Sequence, residues 1–441
     1  MRLASGIMLP ASVRRPAYDR SEQAAGIVHI GIGAFHRAHQ AVYTDGAMGA
    51  GDRDWAIIGV SLRSGDVAAR LGPQDGLYTM SARSAEGSDL RLIGAVQRVL
   101  VAAETPQSVA DAIAAPTTHI VSLTVTEKGY LRRPDGSLDL AAAVGGASLY
   151  RFVAAGLAAR KAAGLGGLTL LSCDNLAGNG GVLRRLLREY LAAYHPGLSA
   201  WFDATCTCPA TMVDRIVPRA TDADRAAIEA ELGVRDEGAV VTEAFSQWVI
   251  EEDFAGPRPC WEKVGAELVV DVAPYETAKL RMLNGAHSAL AYIGLGRGHE
   301  FVHQAIADPM IRPVIERLMR DEAAPTIDAA PGQDLPAYAD ALLARFANPA
   351  LDHRLVQIAM DGSQKIPQRW LETLAWHQVR GQRCPSIEAA TAAWIAFLRR
   401  GVAIDDPLAD KLREAVVGED VMERLFGDSG LIASNWRPEF A

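Results

Sequence analysis

Cysteine is scarce. Five thiols, Cys173, Cys206, Cys208, Cys260 and Cys384, serve a chain of 441 residues. A disulfide-stapled secreted scaffold is thereby excluded, and a reducing compartment is the natural setting. The one close pair, Cys206-x-Cys208, lacks the second cysteine or histidine pair of a four-ligand zinc site, so the thiols read as buried packing. Basic runs are also missing, and the net charge is −9. Nucleic acid and anionic membrane are poor partners for such a surface. No stretch approaches the length of a membrane span. The opening "MRLASGIMLPASVRRPAYDR" has no apolar core of signal-peptide length. These absences lead to the expectation of a soluble, cytoplasmic protein, either monomeric or a small homo-oligomer. Internal repeats and low-complexity linkers are absent too. What remains is an ordinary globular composition, 49% hydrophobic and 22% charged.

The length exceeds one ordinary domain. Up to about residue 270, short apolar β-rich runs alternate with helical ones. "GIVHIGIG" (26–33), "WAIIGV" (55–60), "LRLIGAV" (90–96), "THIVSLTV" (118–125) and "LTLLSC" (168–173) read as strands. Residues 36–48, 108–115, 147–164 and 180–194 read as helices. The alternation predicts an α/β fold with a mostly parallel, doubly wound sheet. "KVGAELVVDV" (263–272) reads as a last strand. Beyond it the pattern is helical, over 275–293, 301–321, 336–346, 365–380, 386–400 and 405–416. The expected organisation is a Rossmann-like domain over 1–270 and a mostly α-helical domain over 271–441.

Gly31 and Gly33 stand between the first strand and the first helix. There a dinucleotide fold turns tightly and offers backbone N–H groups to a pyrophosphate. The third glycine of G-x-G-x-x-G is replaced by His36. Gly31, Gly33, Phe35, His36 and Arg37 form the candidate cofactor-binding turn. Asp66, past the second strand, is the candidate acceptor for a ribose 2′-hydroxyl, farther along than the usual spacing of about 20 residues. Capping of the helix "DVAARL" is its alternative role. Arg63 nearby would suit a 2′-phosphate instead.

"ETAKLRMLNGAHSALAYIG" (276–294) is apolar nearly all round, through Ala278, Leu280, Met282, Leu283, Ala286, Ala289 and Leu290, so it reads as buried. Yet Glu276, Lys279, Asn284 and His287 fall within roughly 140° of arc at about 100° per residue. Buried polar groups need partners or a task. The set suits alcohol oxidation by a nicotinamide cofactor without a metal. Lys279 is the candidate base, Asn284 the amide donor to the developing alkoxide, His287 the orienting group and Glu276 the proton relay. Asn175, in "LLSCDNLAGNGG" (170–181), lies just past a strand and supplies a candidate second amide. An Asx turn or helix cap is its alternative role.

These stretches resemble the long-chain mannitol dehydrogenases. The matching segments are "GIGAFHRAHQ", "SLTVTEKGY", "SCDNLAGNG", "TMVDRIVP", "EAFSQWVIEED", "KVGAELVVDVAPYETAKLRMLNGAHSALAYIG" and "MDGSQKIPQR", spread from residue 26 to about 370. The resemblance implies a metal-independent NAD(P) oxidoreductase with its site between two domains. It implies Lys279 as general base, Asn175 and Asn284 as an oxyanion pair, His287 as substrate-orienting and Glu276 as relay. Asp214 and Lys365 match substrate-pocket positions. Asp66 aligns with the acid that favours NAD over NADP, although Gly65 stands where a further acid often precedes it. "TVTEKGY", "KLRMLNG" and "HRLVQIAMDGSQKIPQR" are more similar to the fructuronate reductase (D-mannonate oxidoreductase) branch. The mannitol branch carries an arginine where Gln357 stands. A uronate carboxylate needs a cation, and Arg281, Lys365 and Arg369 are the candidates. Neutral polyols such as mannitol, arabinitol or sorbitol are the alternative substrates.

One motif points elsewhere. "HEFVH" (299–303) fits the zinc-peptidase pattern H-E-x-x-H, with Glu322 downstream as a third ligand. It accounts for none of the other segments, so no metal is expected.

Overall fold

The computed structural model describes residues 1–350, 352–400 and 405–438. The chain divides into two compact units, Met1–Val272 and Ala273–Ala441.

The first unit is built on a five-stranded sheet. Its spatial order is Val96–Val101, Ala56–Ser61, Ala25–Ile30, Ile120–Leu123 and Thr169–Ser172, and every pairing is parallel. In chain order this is 3-2-1-4-5, so the topology reverses between Ala25–Ile30 and Ile120–Leu123. The crevice outside the carboxyl ends of those two strands is where doubly wound sheets take ligands. Val28, Ile30, Ile57, Val60, Val121 and Leu170 are fully buried. Continuous apolar strands of this kind need both sheet faces covered.

Two further three-stranded sheets went unread in the sequence. One pairs the hairpin Tyr78–Ser84 and Gly87–Ile93 with Val240–Glu243. The other joins Thr211–Asp214, Gln247–Glu251 and Glu267–Val269. The expected single strand over 90–96 is two: Gly87–Ile93 ends the hairpin, and Val96–Val101 opens the third parallel strand. A side chain at Gly94 would meet Pro16 Cγ at 2.7 Å and Arg20 Cδ at 2.8 Å, so the chain bends there against the N-terminal arm. The expected helix over 36–48 breaks at His39 into Ala34–Ala38 and Gln40–Gly49.

The second unit is helical around one long central element. It runs as α-helix Ala273–Ala278, π-helix Lys279–Asn284 and α-helix Gly285–Gly296. Ala286, Ala289, Leu290, Leu318, Ile366, Trp370 and Ile387 are fully buried around it. Two more π segments, Leu318–Ala323 and Pro367–Leu371, pack against the π turn of the central element. The single helix expected over 301–321 is interrupted at Asp308–Pro309, leaving Val302–Ala307 and Arg312–Arg317. Among the described residues no helix is long and apolar enough to cross a membrane.

Candidate active site

Gly31 closes the first parallel strand with φ +96°, and a Cβ there would meet Thr124 O at 2.1 Å. Only glycine fits, on both counts. The turn is pinned by Gly31 N donating to Val60 O at 2.8 Å and Thr124 Oγ1 donating to Gly31 O at 2.7 Å. Gly33 is exposed, and a Cβ on it would meet nothing nearer than Gly31 O at 3.8 Å. The outer side of the turn is therefore bare backbone at the sheet's switch point, a surface to which a pyrophosphate can come close.

The residues after the turn face the other way. His36 is 1% exposed and stacks on His29 with centroids 3.4 Å apart. Arg37 is buried, bonded through its guanidinium to Gly33 O at 3.3 Å and to Gly238 O, and set over the Tyr78 ring. Both were candidates for cofactor contact, and both side chains belong to the core. The helix leaves the glycines with its inner face toward the sheet, which turns these two positions inward. Phe35 is half-buried and stacks on His39 at 5.1 Å. Asp66 is exposed at the first residue of Asp66–Leu71. Its carboxylate does not cap that helix, whose N-cap is Gly65.

The loop after Thr169–Ser172 divides its labour. Asp174 accepts from Val125 N at 3.0 Å, Thr126 N at 2.8 Å and Tyr130 OH at 2.9 Å. It ties this loop to the one beyond the fourth strand, and burial raises its pKa above the ordinary carboxylate value. Asn179 donates to Asp174 O at 3.0 Å and Thr211 O at 2.8 Å, and accepts from Thr211 N at 2.9 Å. Asn175, between these anchors, is exposed and caps no helix, since Gly178 holds that position. Asp214 is buried at the end of Thr211–Asp214, in register with Gln247.

In the second unit the polar face is reshaped by the π turn. Gly285 N donates to Leu280 O, an i→i+5 bond. A π turn accommodates one extra residue, removing about 100° from the angle an α-helix would accumulate. Relative to Glu276, Asn284 moves from about +80° to about −20° and His287 from about +20° to about −80°, with Lys279 near −60°. The arc holding all four narrows from roughly 140° to roughly 80°. Glu276, Lys279 and Asn284 are half-buried and His287 is 8% exposed. Burial, then His353, Arg345 and Arg369, hold the His287 imidazole neutral, its pKa well below the usual histidine value. Phe346 lies against it at 4.7 Å and His353 edge-on at 5.2 Å.

Carbonyls on this turn are taken up from the neighbouring π segment. Arg369 Nη1 donates to Asn284 O at 3.2 Å and Ser288 Oγ at 2.7 Å, and Trp370 Nε1 donates to Gly285 O at 3.1 Å. Arg281, a candidate for a substrate carboxylate, is already committed: it pairs with Glu372 at 2.9 Å and donates to Thr326 O at 2.9 Å. Lys365 donates to Met360 O at 2.6 Å and Ile358 O at 3.4 Å, and burial lowers its pKa. His353, Arg345 and Trp370 escaped the sequence reading. Nothing in their spacing marks them, since they come from other segments: Arg345 from the helix Leu335–Phe346, Trp370 from the π segment Pro367–Leu371, and His353 from irregular chain before Leu355–Ile358.

The H-E-x-x-H segment does not form a zinc-binding turn. Phe301 is extended at φ −120° and ψ 155°, so His299 lies outside the helix Val302–Ala307 that carries His303. His299 instead meets Asp308 at 3.0 Å. Glu322 accepts from Ser386 N at 2.7 Å and Ile387 N at 2.8 Å.

Comparison with known proteins covers both units. Residues 25–263 match the family model described as mannitol dehydrogenase Rossmann domain, and residues 271–425 match the mannitol dehydrogenase C-terminal domain. D-mannonate oxidoreductase of Escherichia coli (strain K12) is 41% identical over 96% of this chain and 92% of its own length. A Pseudomonas fluorescens mannitol 2-dehydrogenase, solved as a ternary complex with NAD and D-mannitol, superposes with TM-score 0.83. It is 36% identical, over 99% of this chain and 93% of that one. A D-sorbitol dehydrogenase in substrate-free form gives TM-score 0.91 at 32% identity, over 96% of this chain and 92% of that one.

Proposed function

The chain belongs to the mannitol dehydrogenase family, and on that premise we propose that it interconverts a secondary alcohol of a sugar acid or polyol and the corresponding ketose with NAD. When bound, the nicotinamide supplies the hydride acceptor or donor. The bare backbone at Gly33 fits the pyrophosphate, and the exposed Asp66 carboxylate suits a ribose 2′-hydroxyl, which disfavours NADP.

The chain's own residues handle the proton and the oxygen. Lys279 takes the hydroxyl proton during oxidation and returns it during ketone reduction. The Asn284 amide donates to the oxygen as it gains negative charge, and Asn175 takes the second amide role that its motif implies. His287, held neutral, keeps one nitrogen as donor and one as acceptor, so it orients the hydroxyl without competing for the proton. Glu276, one turn before Lys279, passes the proton to water. The observation that carries this reading is the π turn, which gathers an amine, an amide and an imidazole onto one narrow face.

The proposed substrate pair is D-mannonate and D-fructuronate, supported by the E. coli relative. A neutral polyol such as mannitol is the second reading, favoured by the Pseudomonas fluorescens complex. Lys279→Ala tests the mechanism. Turnover falls about 100- to 10,000-fold, the usual contribution of a general base, while NADH affinity, measured by fluorescence titration, stays unchanged. Undiminished turnover in that variant removes Lys279 from the chemistry.

A further inference from the structure

Arg369 is a largely buried cation that, among the described residues, pairs with no carboxylate. Its Nη1 is anchored on Asn284 O at 3.2 Å and Ser288 Oγ at 2.7 Å. Its Nε and Nη2 bond no protein acceptor among the described residues. Burial pushes its pKa down to about 10, and the one neighbouring acid that favours its charge is the Tyr292 phenol. That phenol is itself kept neutral by burial and donates to Ala359 O at 3.0 Å. A desolvated guanidinium left in this state is costly unless an anion arrives.

The surroundings reinforce the sign. Burial first and then Arg369 depress the pKa of Lys365, whose amine is offset by Asp361, Asp406 and Asp405. His287 feels Arg369, Arg345 and His353, and no carboxylate. Arg281, by contrast, already has Glu372. The open edge of Arg369, Nε with Nη2, offers two parallel donors, the fork that matches both oxygens of a carboxylate. Its anchored edge rests on the same turn that carries Asn284 and His287.

We propose that the open edge of the Arg369 guanidinium binds the carboxylate of the substrate, so that the preferred ketose is a uronate and not a neutral sugar. The proposal rests on the assignment of Lys279, Asn284 and His287 as the reaction centre. It also gives Arg369 a second task, fixing the Asn284 backbone.

Steady-state NADH oxidation with D-fructuronate and with D-fructose tests it, in the wild type, Arg369→Gln and Arg369→Lys. Glutamine keeps a donor for the Asn284 carbonyl but removes the charge. The wild type is expected to favour fructuronate. In Arg369→Gln the ratio of kcat/KM for fructuronate to that for fructose collapses by about 30- to 100-fold, mostly through KM, as expected for losing a bidentate charged pair. Arg369→Lys restores part of the ratio. An unchanged ratio, with both substrates losing equally, overturns the carboxylate role and leaves Arg369 as a positioning residue. A wild type that reduces fructose at least as well as fructuronate overturns it without any variant, yet leaves the oxidoreductase reading standing. Full activity in Lys279→Ala would break that underlying reading instead.

Discussion

At the scale of single residues, burial decides what each polar group can do. His29 and His36 lie stacked beneath the glycine turn. Burial lowers His29 to about 3 and holds His36 well below the usual histidine value. Both are neutral when folded and take up protons freely, near pH 6.5, only when unfolded. Their contribution to stability is therefore complete above about pH 6.5 and drains away as pH falls toward 3, by up to about 1.4 kcal/mol per pH unit for each ring. Denaturant midpoints across pH 7 to 5 should fall steeply in the wild type. They should fall less in His36→Phe, which keeps an aromatic plane against His29 without a titrating group. An identical slope in the variant would assign the acid sensitivity to other groups. The sequence showed Gly31 plainly, because a glycine between strand and helix has few other uses. It hid the inward turn of His36 and Arg37, because that follows from how the first helix leaves the sheet. Asn175 was visible in its motif. Its neighbours Asp174 and Asn179 anchor the loop on either side of it.

At the scale of elements, the central helix gave up its position to sequence periodicity but not its geometry. The apolar pattern over 276–294 predicts burial, and the core confirms it in Met282, Ala286, Ala289 and Leu290. A uniform α-helix would nevertheless spread its polar residues over a wide arc. The extra residue of the π turn is invisible to a fixed 100° step, because the π turn is stabilised by Arg369 and Trp370 from a distant segment. Deleting Leu280 should restore α-helical spacing and swing Glu276 and Lys279 by about 100° relative to Asn284 and His287. Turnover should fall at least about 100-fold, as misplacement of a reacting group does, with little change in circular dichroism. Normal turnover in the deletion variant would show that the π turn is incidental. Strands show the same division. Long apolar runs such as Ala25–Ile30 were readable. Thr211–Asp214 and Val240–Glu243 are no shorter than Ile120–Leu123 and Thr169–Ser172, but they mix polar and charged residues into the run and so are not declared by an apolar pattern.

At the scale of the whole molecule, two units, Met1–Val272 and Ala273–Ala441, each carry their own apolar core. The parallel sheet places its switch point at the glycine turn of the first unit, where we propose that the dinucleotide binds. NADH at a hundredfold excess over its dissociation constant should stabilise the unit that binds it by about 2.7 kcal/mol. Scanning calorimetry would register this as an upward shift of the corresponding transition. An unmoved thermogram at saturating NADH would contradict the assignment of the turn. Substrate class was the least readable property at this scale. In the reading proposed above it depends on which of three cations keeps free donors, and that is set by packing: Glu372 claims Arg281, carbonyls claim Lys365, and Arg369 uses only Nη1 among the described residues.

The account turns on the amine of Lys279 carrying the proton that balances hydride transfer. Chemical rescue measures this most directly: fructuronate reduction by Lys279→Ala, followed with NADH as small primary ammonium ions are added. The account predicts a nearly inactive variant whose rate climbs with ammonium concentration while its affinity for NADH stays fixed. A variant that turns over at the wild-type rate without any added amine would contradict it.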